Sequence, residues 1–149
     1  MSTTRRVGQV GFAFTTVLVA LITLTPQSGG SAHGAVAKAL LDALHAIGVP
    51  ASFGEVEWEF TANIIMFTPL GFFLALALPG ARLWLGIIAL PLMSGLIEAS
   101  QFLFLPSRYP TVSDLAANSL GGWLGLLAGV GVLQIINHST TRRGRAGAT

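Results

Sequence analysis

The sequence predicts an all-α polytopic membrane protein: four transmembrane helices in a bundle, with a short amphipathic helix in the first outer loop. Three observations carry this. Only 9% of the 149 residues are charged, where soluble domains run to roughly a quarter. Mean hydropathy is +0.72. The apolar residues also gather into four runs, each near the length of about 20 residues that a helix needs to cross the hydrocarbon layer. The length suits a single domain, residues 1–149. Cysteine is absent, which removes disulfides, thiolate metal ligands and a thiol nucleophile.

The first run, Val7 to Leu24, is closed by Thr25 and Pro26. Its rival reading is a cleaved signal peptide, because Arg5 and Arg6 precede it and "GGSA" follows with small residues; cleavage would leave the orientation of the other runs unchanged. In the long connection that follows, Val36, Leu40, Leu44 and Ile47 share one helical face and Lys38, Asp42 and His45 the other. That pattern predicts a short helix lying on the membrane surface. Trp58 and Phe60 come just before the second run, where aromatic side chains favour the interface. The second run spans Ala62 to Leu78 and ends at Pro79-Gly80; the third spans Leu83 to Leu105 and ends at Pro106. The fourth spans Val112 to Ile136 and leads into a basic tail, residues 139–149.

Charge sets the expected orientation. Arg5, Arg6, Arg82, Arg142, Arg143 and Arg145 lie on the termini and in the turn between runs two and three, with no acid beside them. By the positive-inside rule these segments face the cytoplasm, so both termini are expected inside. The connection holding Asp42, Glu55, Glu57 and Glu59 is then outside. The pI near 9.9 reads as this topology signal, not as a nucleic-acid surface. His33, His45 and His138 are isolated, so no metal site or cofactor is expected.

With that orientation, depth follows from the rise of about 1.5 Å per residue. Glu98 falls roughly 10 Å below the outer boundary, with Gln101 one turn above it. Asp114 opens the fourth run, Asn118 lies one turn deeper, and Asn63 is expected in the first turn of the second. Ser94, Glu98 and Gln101 follow one helix face, and Asp114, Asn118, Gly121 and Gly125 another. Turned inward, the two stripes would line one outward-facing pocket with Arg108 above its mouth. Plainer readings stand beside this: Asp114 as a helix cap in "TVSD", Asn63 and Asn118 as interhelical glue, and Arg108 as a solvated loop charge or the partner of Glu98. Ser94 and the ladder Gly121, Gly125 and Gly129 read as packing. Glu98 stands apart, since an ionised carboxylate in a membrane is costly and by default marks a functional site.

Two stretches, "NIIMFTPLGFF" and "IEASQFLFLPSRYPTVSDLAANSLGG", resemble the signature of the VanZ-like family, over a core of roughly residues 58–128. The matching positions are Asn63, Phe67, Pro69 and Gly71, then Glu98 and Gln101, then Arg108, and Asp114, Asn118 and Gly121. Ser107 and Ser113 depart from the glycine and second acid often found there, which weakens any mechanism needing adjacent carboxylates. The resemblance implies a small integral protein of the bacterial cell membrane, in a family named for teicoplanin resistance. Asn63, Glu98, Gln101, Arg108, Asp114 and Asn118 are the candidate ligand-binding residues. The expected partner is a membrane lipid or lipid-linked headgroup, with no nucleic acid; oligomerisation stays open. An acid/base enzyme using Glu98 and Asp114 on a lipid headgroup and a proton- or cation-linked transporter through Glu98 are the alternatives, and no catalytic residue is assigned.

Overall fold

Backbone N–H and C=O groups in hydrocarbon find no water, so an apolar run that crosses it must close its hydrogen bonds within itself. In the computed structural model, which describes residues 2–25, 32–105 and 111–146, every run is accordingly helical. The helices are α1 (Thr3–Leu24), α2 (Ala32–Ala46), α3 (Glu55–Ala77), α4 (Trp84–Phe104) and α5 (Val112–Ala146), with a 3-10 turn at Gly80–Arg82. No strand occurs among the described residues. Four helices are long and apolar enough to span: α1, α3, α4, and α5 as far as Ser139. The chain is a multi-pass membrane protein.

Two boundaries differ from the expectation. Helix α3 begins at Glu55, two turns before the apolar run, because the Glu57 carboxylate accepts from the Gly54 N–H at 2.9 Å and closes the helix start. Trp58 and Phe60 therefore lie inside the helix, and Asn63 lies in its third turn, not its first. Helix α5 continues to Ala146, which takes the basic tail into the same helix. The surface helix is also rotated from its predicted face. It packs through Leu41, while Leu40 and Ile47 are exposed.

Glycines set the packing. A Cβ on Gly121 would strike the Ile64 backbone, one on Gly125 the Thr68 carbonyl, and one on Gly129 would come within 2.8 Å of the Phe72 carbonyl. The partner residue advances with the glycine, so α3 and α5 run parallel with their backbones in near contact. Gly71 returns the contact, a Cβ there meeting the Gly122 carbonyl. Helix α1 lies antiparallel on the other side of α3, Gly8 against Leu76 and Ala77 and Gly11 against the Phe73 ring. Leu90 of α4 lies over Gly122 and Leu126 of α5 over Gly86, which makes α4 and α5 antiparallel. The core between them is Val19, Phe67, Leu70, Leu74, Ala75, Leu90 and Leu126.

This arrangement puts the starts of α1 and α4 and the ends of α3 and α5 at one end of the bundle. At the other end are the starts of α3 and α5 and the ends of α1 and α4. Pro91 within α4 has no N–H for the Ile87 carbonyl one turn back. The Trp123 indole of α5 donates to that carbonyl at 3.1 Å, so a tryptophan on one helix repairs a proline gap on its neighbour.

The glycines yield a pair of opposite expectations. Gly125→Ala should force α3 and α5 apart and cost about 1–3 kcal/mol, the usual range for overpacking. Gly95→Ala, where an added Cβ meets nothing within 4 Å, should be neutral or gain up to about 1 kcal/mol in helix propensity. Melting temperatures in detergent of the two variants beside the parent protein test this.

Candidate functional site

The polar residues singled out in the sequence converge on the end of the bundle where α3 and α5 begin. The register of Leu90 on Gly122 and Leu126 on Gly86, carried along both helices, sets Ser94 beside Asn118 and Glu98 level with Asp114. Two layers result, with Gln101 beside them.

In the upper layer, α5 starts with Thr111 as its cap: the Thr111 hydroxyl accepts from the Asp114 N–H at 3.0 Å. A capping box would have the residue at Asp114 reach back to the Thr111 N–H. Here that N–H donates to Glu98 Oε2 of α4 at 3.3 Å instead. Asp114 Oδ1 accepts from Asn63 Nδ2 of α3 at 2.7 Å. One helix start thus ties three helices together, with Glu98 supplying from α4 the acid that the box lacks. Glu98 is buried, 8% exposed, whereas Asp114 is only half-buried.

Gln101 turns the other way. Its Nε2 donates to the Thr23 carbonyl of α1 at 2.9 Å, in the last turn of that helix, where carbonyls lack intrahelical partners. It caps α1 and does not join the Asn63–Asp114 pair. Sequence carried no signal for this, since its partner is a backbone group.

One turn deeper, Asn118 Nδ2 donates to Ser94 Oγ at 3.0 Å across the α4–α5 seam. Asn118 is 2% exposed, and its Oδ1 has no hydrogen-bond partner. Turning the amide over would pair Oδ1 with the serine hydroxyl and leave Nδ2 unpaired, so half of this amide is unmatched in either orientation. Ser94, read from sequence as packing, is also a polar partner; its place one turn before Glu98 on the same stripe was the signal. Arg108 lies outside the described residues. Among the described residues, no three His, Cys, Asp or Glu side chains gather as a metal-ligand set.

The chain that carries Asn63 on one helix, Glu98 and Gln101 on the next, and Asp114 and Asn118 on the last matches a known family over residues 12–134. It belongs to the VanZ/LLP1 family. No curated protein and no solved structure matches it. The family match begins within α1 and extends over most of α5, beyond the stretch that carries the motifs.

The Asn63–Asp114 pair predicts a graded response. Asp114→Asn keeps an oxygen for Asn63 and a residue suited to a helix start, so stability should barely change. Asp114→Leu leaves the Asn63 amide unpaired and should cost about 1–3 kcal/mol. Thermal denaturation of both variants distinguishes them.

Proposed function

We propose that this VanZ/LLP1-family protein holds the polar headgroup of a cell-envelope lipid, or of a lipid-linked cell-wall intermediate, at the end of the bundle formed by Asn63, Glu98, Asp114 and Asn118, and that this end faces outward from the bacterial membrane. The observation that carries the reading is the unmatched amide of Asn118. Asn63, Glu98 and Gln101 are each engaged in holding helix ends together. A deeply buried amide with one half unpaired costs about 1–3 kcal/mol, and helix packing does not account for it.

The inventory of donors and acceptors supports a ligand of a particular kind. One N–H of each of the Asn63, Gln101 and Asn118 amides is engaged by a protein oxygen. The Thr111 N–H is spent on Glu98. With the Asn118 amide oriented toward Ser94 through Nδ2, the oxygens this layer offers are a second carboxylate oxygen on Asp114 and Oδ1 of Asn118. Such a layer suits a headgroup that donates, through hydroxyls or an ammonium. Arg108, four residues after the end of α4, would supply the phosphate contact by paired charge-assisted hydrogen bonds. Gln101 is a positioning residue in this scheme, fixing the end of α1 beside α4. Family membership supports a role in resistance to teicoplanin-type glycopeptides, through altered presentation of an envelope lipid.

Orientation is the first test, and the Cys-free chain suits it. Single cysteines at Ser2 or Ala81 should be shielded from an impermeant thiol reagent in intact cells, and one at Ser52 should be labelled. Labelling at Ala81 with shielding at Ser52 would invert the protein and remove the outward site.

The second test separates ligand binding from ion pairing. Glu98→Gln retains an oxygen for the Thr111 N–H, so it should melt near the parent temperature yet lose most lipid retention and glycopeptide phenotype. Arg108→Gln should do the same, and the double variant should cost little more, because groups acting on one ligand are non-additive. Recovery of function in the double variant would instead mean that the two charges only neutralise each other.

A further inference from the structure

The opposite end of the bundle has a separate chemistry. It gathers Arg5 and Arg6 at the start of α1, Arg82 in the turn between α3 and α4, and the end of α5, whose last turns include Arg142, Arg143 and Arg145. None of the six acidic residues of the chain lies there: Asp42, Glu55, Glu57, Glu59, Glu98 and Asp114 are all on α2, at the start of α3 or α5, or near the end of α4.

Helix stability does not explain this placement. Arg5 and Arg6 stand in the first turn of α1, which has no acid, and the positive end of a helix macrodipole disfavours cations. Arg5 offsets part of that cost by donating from Nε to the Ala77 carbonyl at the end of α3, at 3.2 Å. This bond uses the Nε alone. The terminal nitrogens of Arg5, and the whole guanidinium groups of the exposed Arg6 and Arg82, have no hydrogen-bond or ion-pair partner among the described residues. Three guanidinium groups with open donors, held where a membrane-spanning bundle meets the headgroup layer, match phosphodiester oxygens in charge and in their planar, paired donors. The end of α5 adds to the same field. At about 1.5 Å per residue it extends roughly 10 Å past the span that closes at Ser139, within a Debye length of the surface.

We propose that this end is a docking surface for anionic phospholipid, with Arg5, Arg6 and Arg82 taking the phosphodiester group. The positive-inside bias directs insertion of the chain during synthesis; this surface additionally selects lipid in the assembled protein, where no translocation occurs.

The full-length protein is placed in nanodiscs of equal phosphatidylcholine and phosphatidylglycerol, and the lipids that stay bound after gas-phase release are identified by native mass spectrometry. The parent protein should retain phosphatidylglycerol in clear excess. Arg6→Gln with Arg82→Gln removes two guanidinium groups that make no described hydrogen bond, so the fold should persist, and the excess should fall by at least half. Arg6→Lys with Arg82→Lys keeps the charge but loses the paired donors, and should fall between the two. No phosphatidylglycerol excess in the parent, or an excess unchanged in the glutamine variant, overturns the proposal. Should the glutamine variant lose its helical circular dichroism, the lysine variant decides: an excess equal to that of the parent overturns the assignment to guanidinium groups.

Discussion

The near contact of the α3 and α5 backbones is the constraint on which the rest of the molecule depends. Lipid tails are as apolar as leucine, so two helices in a bilayer gain little from hiding apolar side chains and must gain from close van der Waals fit instead. Gly71 on α3 and Gly121, Gly125 and Gly129 on α5 remove the side chains that would hold the axes apart. The stripe repeats every fourth residue, and the meeting of Gly71 with the Gly122 carbonyl marks the register in which it packs. That register sets the start of α5 against the third turn of α3, and so brings Asp114 to Asn63.

Once the helices are that close, their ends and interruptions become the principal electrostatic problem. A helix end within or near the hydrocarbon has backbone groups without partners, and here neighbouring helices supply them. Arg5 serves the end of α3, Gln101 the end of α1, Glu98 the start of α5, and Trp123 the carbonyl that Pro91 leaves open in α4. Each bond joins two helices, so each stabilises packing as well as a terminus. The polar residues of this apolar chain are accordingly few and mostly engaged.

Asn118 is the buried exception among the described residues, and its position gives it meaning. It lies on the seam between α4 and α5, one turn below Asp114, in a protein whose six acids all lie away from the end that holds Arg5, Arg6 and Arg82. The acid-rich end carries unspent oxygens and the base-rich end unspent guanidinium donors, so the two ends differ in the groups they present. A bundle that fixes its helices through glycine contacts and caps keeps both ends in register with the two faces of the membrane.

The sequence alone determined the class, the number of spans, the turn positions and the gathering of Asn63, Glu98, Gln101, Asp114 and Asn118 toward one end, because these follow from segment length, breaker residues and helical rise, all local properties. It also marked Gly121, Gly125 and Gly129 as a close-packing stripe. It did not determine which helix fills that stripe, nor that α3 begins two turns early, since the Glu57 cap outweighs the polarity of the segment it opens. Which partner each polar group takes was settled only by the tertiary structure. Glu98 and Gln101 lie one turn apart on the same face, yet one serves the start of α5 and the other the end of α1. The faces of α2 were misjudged by one position for the same reason: amphipathic pattern defines a stripe, but the neighbouring helix decides which residue at its edge is buried.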